Sequence, residues 1–238
     1  MLSDAGLPEM KDTKLAPSEM GRGIHVANRN ARRLLGDGIL LYESARYPSA
    51  AALAVLAMEE AAKWSTLLHV TIAQDEKRIR ESWRMNTLHI PKLTRALRAL
   101  MGAHEASGGD RPTVPDAELA KAMNALKLSC IYTAFVVGRR WIDPMQVCDR
   151  DECHNQLSVA LISTSGHLRV TGQRLGALFK RVPGRLADER EEAARQTLIS
   201  WSEGEEAAAL AADDDAENEA FRADAKKRLR LQGESDAS

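Results

Sequence analysis

The sequence predicts an all-α protein, folded as an up-and-down bundle of five or six helices. Aromatic residues make up only 4% of the 238-residue chain, and almost no segment alternates apolar and polar side chains as a half-buried strand does. Alanine, leucine, glutamate, lysine and arginine instead recur at helical spacing over long stretches. A chain of this length can bury one sizeable core.

The predicted helices are bounded by residues that favour turns or caps. Tyr47-Pro48-Ser49 ends the first helix and starts the second, because a proline disfavours helical geometry in its predecessor and suits the first turn of a helix. Pro91 lacks a backbone donor and is predicted to break or kink the third helix. A loop rich in glycine follows, and Asp116 is predicted to cap the fourth helix. The predicted helices span 24–46, 49–74, 77–102, 116–137, 153–181 and 186–201.

Apolar residues at three- and four-residue spacing give several of these helices a face to bury. In the second helix the same spacing places Glu60 close to the apolar face. The predicted buried stripes comprise Leu34, Leu35, Leu40, Leu41 and Tyr42 in the first helix, Leu53, Leu56, Ala57, Trp64 and Leu67 in the second, and Leu119, Met123, Leu126, Leu128 and Ile131 in the fourth.

The domain organisation follows from composition. Residues 24–202 are predicted to form a single helical domain. Residues 1–23 contain prolines and charges without the apolar stretch of a secretory signal, which predicts a flexible leader. Residues 203–238 change from an acidic to a basic block, which is typical of a charged, solvated helix or a mobile tail. The alternative for this segment is a regulatory or partner-binding tail.

Charge and cysteine content exclude several classes of protein. With 33 Lys+Arg against 34 Asp+Glu, no overall basic field attracts nucleic acid or anionic lipid, so such binding requires a local patch. No window approaches the roughly 20 apolar residues of a membrane span, and three cysteines suggest no disulfide framework. We therefore expect a cytoplasmic protein without a membrane partner. Cys148, Cys153 and His154 lack a second ligand pair for zinc, so neither a metal nor a cofactor is predicted.

The segment from Trp83 to Lys92 contains the residue types of an RNA-cleaving site. Metal-independent cleavage needs a base for the ribose 2′-hydroxyl, an acid for the leaving oxygen and a cation against the phosphate charge. His89 can act as acid or base, while Arg84 and Lys92 can bind the phosphate. On a continuous helix, however, Arg84 and His89 are about 140° apart and need a kink or a second subunit to act together.

Arginine–histidine spacing alone does not identify the site. In a chain with about one arginine per ten residues, six histidines give roughly two such pairs by chance. Two are present, Arg84 with His89 and Arg98 with His104. The alternative is that His89 is an ordinary surface histidine.

Several blocks of the sequence resemble the AbiV family of abortive-infection proteins. Residues 30–35, 45–50 and 53–63 resemble the amino-terminal half of that family, whose hallmark there is a pair of glutamates followed by a lysine. A histidine and a lysine three residues later come next in the family. The matching residues, in order from about Asn30 to Pro144, are Glu59, Glu60, Lys63, His89, Lys92, Tyr132, Gly138, Trp141 and Pro144.

The resemblance implies a fold and a mechanism. AbiV proteins belong with the HEPN helical domains, many of which are RNases that use an arginine and a nearby histidine, usually across a dimer interface. By this resemblance Arg84 and His89 form the catalytic pair, Asn86 is the polar residue between them, and the protein is a homodimer. The sequence departs from the common HEPN pattern at two positions. Met85, rather than a polar residue, directly follows the arginine, and Pro91 lies between the histidine and the lysine.

The resulting prediction is a bacterial antiphage protein of the abortive-infection type. RNA is the expected substrate, a phage protein the expected trigger, and arrested growth or translation the result. The alternative is a non-catalytic helical interaction module that blocks translation or senses a phage protein, since fold analogy does not decide function.

Two further groups of residues are predicted to support the site. Glu59 and Lys63 are spaced for a helical ion pair, which can equally be an ordinary surface salt bridge. Glu60 is predicted to reach across and orient His89 or Lys92, so that Glu60→Ala is more harmful than Glu59→Ala.

A basic turn with an aromatic residue, Arg139-Arg140-Trp141, is predicted to bind RNA by phosphate contact and base stacking. The alternative is that Trp141 docks the turn on the bundle while both arginines are solvated.

Overall fold

The computed structural model describes residues 13–106, 108–110, 113–136, 140–165 and 189–234. Within these ranges the chain forms nine α-helices, a short β-hairpin and a 3-10 turn at Pro144–Gln146. The elements are α1 (Pro17–Glu43), α2 (Tyr47–Ala61), α3 (Lys63–Ile72), α4 (Glu76–Thr87), α5 (His89–Ala106), α6 (Asp116–Ile131), β1 (Ala134–Val136), β2 (Arg140–Ile142), α7 (Arg150–Ser165), α8 (Glu189–Ser202) and α9 (Glu205–Glu234).

The all-α prediction is confirmed, but the described residues contain more helices than the five or six expected. Two predicted helices are each interrupted, and the charged carboxyl-terminal segment forms a further helix. Ala62 separates α2 from α3. Leu88, with an extended backbone at φ −90° and ψ 131°, separates α4 from α5. The helix is therefore broken near Pro91, as predicted, but three residues earlier; Pro91 itself lies in the first turn of α5, where its missing N–H removes no helical hydrogen bond.

The first helix begins earlier than predicted. Pro17 lies in its first turn, and the Glu19 carboxylate accepts a hydrogen bond from the Ala16 N–H at 3.1 Å. Residues 17–23, which were assigned to the leader, are therefore helical, and Met20 is fully buried. Residues 1–12 of the predicted leader lie outside the described residues.

Small residues allow α1 and α2 to pack closely. Ala50, Ala54 and Ala57 of α2 are completely buried. A Cβ added at Gly38 of α1 would lie 3.3 Å from the Ala50 carbonyl oxygen and 3.2 Å from a Leu157 methyl group on α7. The main hydrophobic core lies around this contact and also includes residues of α5, α6 and α9.

The fourth predicted helix differs in its end and in its buried face. α6 ends at Ile131 rather than 137, and β1 and β2 form an antiparallel hairpin with Phe135 opposite Trp141. Leu128 and Ile131 are exposed, not buried as predicted. The N-cap position is Pro115, so Asp116 lies in the first turn instead of capping the helix. The buried residues of α6 are Ala120, Met123, Lys127 and Cys130.

Two further predictions concern the ends of the fifth and sixth helices and the buried face of the first. α7 ends at Ser165 and α8 begins at Glu189, so the predicted boundary between the fifth and sixth helices lies outside the described residues. Leu40 is exposed rather than part of the α1 core.

In the described part of the chain, no helix has both the length and the hydrophobicity to span a bilayer, and no cluster of side chains is arranged to hold a metal ion.

The charged carboxyl-terminal segment packs along α1 as helix α9. Arg32 of α1, with a side chain only 6% exposed, contacts Asp214 at 2.8 Å and Glu217 at 2.7 Å. Farther along, the Arg228 guanidinium donates two hydrogen bonds to the Glu43 carboxylate. Leu229 enters the main core. Charge pairing and apolar burial thus hold α9 on the bundle.

Arg32→Ala should destabilise the protein far more than Arg33→Ala. The first change leaves the partly buried carboxylate of Asp214 without its cation, at a cost of about 3 kcal/mol. The second removes an exposed pair between Arg33 and Asp37 and exposed hydrogen bonds to the Asn30 side chain, and should cost less than about 0.5 kcal/mol. Denaturant unfolding of both variants measures the difference, and equal losses would show that this pair does not hold α9 to α1.

Candidate functional site

The candidate site is organised around the buried carboxylate of Glu59. Its Oε2 atom lies 2.6 Å from Nδ1 of His89 and 3.6 Å from Nζ of Lys92. Its Oε1 atom accepts a hydrogen bond from Nζ of Lys127 at 2.5 Å. Three basic side chains from two other helices therefore meet on one carboxylate, and we call these four residues the Glu59 cluster.

Helix positions explain why the four side chains meet. Glu59 faces the interior near the end of α2, whereas His89 is the first residue of α5 and Lys92 lies three residues later on a neighbouring part of the same face. Lys127 occupies the buried stripe of α6, one turn after Met123. The break at Leu88 sets the start of α5 and thereby places His89 beside Glu59.

The contact with Glu59 fixes the tautomer and orientation of the His89 ring. Because an ionised carboxylate only accepts hydrogen bonds, Nδ1 of His89 carries a hydrogen, and in the neutral ring Nε2 then has the lone pair. The His89 side chain is 53% exposed although Glu59 is buried. A buried carboxylate that orients a solvent-accessible imidazole is the arrangement that general acid–base catalysis uses.

The Glu59 cluster carries excess positive charge. One carboxylate faces two lysines, and Lys92 and Lys127 are both buried. Burial lowers the pKa of Lys92 by disfavouring its charged form, and the nearby Glu59 carboxylate acts in the opposite direction. An anionic ligand at this site would therefore approach two lysines that share one carboxylate.

Glu60 does not make the predicted contact with His89 or Lys92. The Glu60 carboxylate accepts hydrogen bonds from Asn30 at 2.9 Å and from Lys63 at 2.8 Å, and Glu59 makes the contacts with His89 and Lys92. The predicted ion pair between Glu59 and Lys63 is replaced by the pair between Glu60 and Lys63. The observed rotation of α2 differs by one residue from the predicted one, because the alanine-rich helix is apolar on most of its circumference.

Arg84 and Asn86 lie on the other side of the break, in the last turn of α4. The Arg84 side chain is exposed, and no hydrogen bond or ion pair joins it to any member of the Glu59 cluster. The side-chain oxygen of Asn86 is buried and accepts no hydrogen bond from the described residues. The structure therefore brings together His89, Lys92 and Glu59 but leaves Arg84 outside their contacts within one subunit.

The predicted RNA-binding turn is described in part. Arg139 lies outside the described residues, and only the backbone of Arg140 is described, in β2. Trp141 is 70% exposed, so most of this residue faces solvent.

Sequence reasoning missed Lys127. Its signal was present, because residues 120, 123, 127 and 130 follow the three- and four-residue spacing of a buried stripe. A lysine at such a position must find an anion inside the protein. The predicted stripe instead contained Leu128 and Ile131, each one residue after the buried Lys127 and Cys130.

Comparison with known families identifies the family of the chain. The sequence matches the AbiV family of HEPN domains over residues 19–162, from α1 into α7. The chain belongs to the AbiV family. The matched range contains the four residues of the Glu59 cluster, while α8 and α9 lie beyond it. No curated protein and no solved structure matches the chain.

Glu59→Gln should destabilise this AbiV protein more than Glu60→Gln. A neutral amide at position 59 leaves two buried lysines without a counter-charge, which should cost about 3 kcal/mol. Glu60 serves a more accessible pair with Lys63, and its change should cost about 1 kcal/mol or less. Denaturant unfolding at neutral pH gives both values. A larger loss in Glu60→Gln would contradict the assignment of Glu59 as the centre of the cluster.

Proposed function

We propose that this AbiV protein is a HEPN-type, metal-independent endoribonuclease that arrests growth or translation during phage infection. The observation that carries this proposal is the Glu59 cluster, in which a buried carboxylate orients the half-exposed His89 beside two lysines. Family membership supplies the abortive-infection context. A cytoplasmic location and a phage protein as trigger remain predictions.

The proposed chemistry uses the ribose as its own nucleophile. Nε2 of His89 takes the proton of the 2′-hydroxyl, the 2′-oxygen bonds to phosphorus, and the bond from phosphorus to the 5′-oxygen breaks. The leaving 5′-oxygen takes up a proton from a general acid, which leaves a 2′,3′-cyclic phosphate and a 5′-hydroxyl. Lys92 lies on the same side of Glu59 as His89 and would stabilise the charge that develops on the phosphate.

A second copy of the chain would explain the position of Arg84. Leu128, Ile131 and Tyr132 lie at the end of α6 and are all exposed, and Trp141 in the following hairpin is exposed as well. Such neighbouring apolar residues are typical of an interaction surface. We infer a homodimer in which Arg84 of one subunit can reach the phosphate held by His89 of the other.

Leu128→Glu should convert a dimer into a monomer, because it places a charge in the exposed apolar group. Ala122→Glu is the matched control, since Ala122 is exposed on a different face of the same helix. Sedimentation velocity at micromolar concentration distinguishes the two states. A monomeric wild-type protein, or a dimeric Leu128→Glu variant, would count against this interface.

RNA cleavage tests the proposed activity directly. Purified wild-type protein should cleave total RNA in the presence of a chelator, and His89→Ala should lose at least about a hundredfold in rate, the usual scale of a lost general acid or base. His104→Ala is the control, because His104 is an exposed histidine in the same helix, α5. Gel analysis should show cyclic-phosphate ends.

The alternative predicts a different outcome of the same experiment. A non-catalytic interaction module would leave RNA intact at protein levels that arrest growth in cells. Equal cleavage by wild-type and His89→Ala protein would also refute the catalytic role of His89.

A further inference from the structure

Three buried cysteines meet where α6, α7 and the segment between them come together. Cys130 lies in the last turn of α6, Cys153 in the first turn of α7, and Cys148 two residues before α7 begins. All three carry free thiols and belong to the main hydrophobic core. They are the only cysteines of the chain, so every thiol of the protein lies at this one place.

The start of α7 explains why Cys148 and Cys153 lie together. The Asp149 side chain accepts a hydrogen bond from the Glu152 N–H at 2.9 Å, and the Asp149 carbonyl oxygen accepts one from the Cys153 N–H at 3.1 Å. Asp149 therefore caps the helix. The residue before such a cap commonly packs against the fourth residue of the helix, and here these two residues are Cys148 and Cys153.

Cys130 reaches the same point from α6. It lies three residues after Lys127 on the buried face of that helix. The stripe that brings Lys127 to Glu59 thus also brings a thiol to the start of α7. The Cys148 side chain is hydrogen-bonded to those of both Cys130 and Cys153, so its sulfur atom lies between two others.

Hydrogen bonding makes the three thiols unequal. Hydrogen bonds from Cys130 and from Cys153 lower the pKa of Cys148, because they stabilise its thiolate. The hydrogen bond to Cys148, together with burial, raises the pKa of Cys130 and of Cys153. Cys148 therefore becomes a thiolate most readily, and the thiolate is the form that reacts as a nucleophile.

Cys148 lies in a segment that is otherwise open to solvent. From Trp141 to Glu152, a stretch that the structure describes without a gap, Cys148 is the only buried residue. A segment that one small side chain holds in the core can open locally while the rest of the bundle stays folded. Such an opening gives a small oxidant access to the Cys148 sulfur.

The surroundings of Cys130 and Cys153 decide which of them pairs with Cys148. Cys130 is near the end of α6, and the next residue, Ile131, is exposed. Cys153 is completely buried and is also hydrogen-bonded to the backbone of Ala51 in α2. An opening of the segment therefore frees Cys130 more readily than Cys153, which stays held inside the core.

We propose that Cys130 and Cys148 form a reversible disulfide when the protein meets hydrogen peroxide. The Cys148 thiolate attacks one peroxide oxygen and the O–O bond breaks; Cys148 becomes a sulfenic acid, and the released hydroxide takes up a proton to give water. The Cys130 sulfur then attacks the Cys148 sulfur, the S–O bond breaks, and a second water leaves. Two thiols are thereby oxidised while one peroxide is reduced to two waters. Disulfides in reducing compartments are typically transient ones of this kind.

The disulfide joins the end of α6 to the start of α7. It closes a loop of residues 130–148, which contains the β-hairpin, and it fixes the part of α6 that supplies Lys127 to the Glu59 cluster. Reduction by a small thiol opens the loop again. This inference goes beyond the proposed RNA cleavage and does not depend on it.

Thiol counting and peptide mapping of the full chain test the proposal. After treatment with a small molar excess of hydrogen peroxide at neutral pH, the protein should show one free thiol in place of its three, and dithiothreitol should restore the other two. Trypsin separates the cysteines, because Arg139, Arg140 and Arg150 lie between them. Mass spectrometry without reductant should find peptide 128–139 joined to peptide 141–150.

Three outcomes of this experiment would overturn the proposal. The first is that all three thiols survive the treatment. The second is a disulfide between two copies of the chain, recognised by a doubled mass without reductant. The third is a link between peptide 141–150 and peptide 151–169, which would show that Cys153 and not Cys130 is the partner of Cys148.

Two serine variants form a matched pair. Cys148→Ser lacks the attacking sulfur and should keep both of its remaining thiols in peroxide. Cys153→Ser retains Cys130 and Cys148 and should lose both. Oxidation of Cys148→Ser to a disulfide, or resistance of Cys153→Ser, would refute the assignment. The peptide map of the wild-type protein decides the question even if Cys148→Ser fails to fold.

Thermal unfolding measures the effect of closing the loop. A disulfide restricts the unfolded chain, so the Tm of the oxidised wild-type protein should be at least about 5 °C above that of the reduced protein. Cys148→Ser should have the same Tm with and without peroxide. A lower Tm in the oxidised wild-type protein would show that the bond strains the folded chain, and would contradict the contact on which the proposal depends.

Discussion

The burial of one carboxylate, that of Glu59, is the constraint on which the centre of this bundle depends. An ionised carboxylate inside a protein must be compensated, and here the compensation comes from α5 and α6 at once. The same contacts therefore hold three helices in position and orient His89. Structure and proposed chemistry share these atoms, so the site cannot be altered without affecting the packing of α2 against α5 and α6.

Helical periodicity and turn residues were enough to predict the fold class and some of the helix starts, as at Pro48 and Asp116. The interruption at Ala62 could not be predicted, because alanine favours a helix. A break near Pro91 was predicted, and it lies three residues earlier, at Leu88. The hairpin was missed because its strands have three residues each, too few for an alternating pattern to be recognised.

The candidate site was predictable in its residue types and only partly in its geometry. The order of glutamates, histidine and lysine led to His89, Lys92 and the α2 glutamates, because these residues follow the family's order. Which glutamate is buried depends on the rotation of α2, and alanine on nearly every side of that helix gives little information about rotation. Lys127 is distant in sequence from the motif, and only the fold brings it to Glu59.

The seam between α1 and α9 differs in kind from the seam between α1 and α2. Alanine and glycine residues form the contact between α1 and α2. Ion pairs such as Arg22 with Glu206 and Arg29 with Glu217 line much of the contact between α1 and α9. Exposed pairs weaken with ionic strength, since the Debye length falls from about 10 Å at 0.1 M salt to about 3 Å at 1 M. Salt concentration thus acts selectively on the terminal helix and leaves the contact between the first two helices largely unchanged.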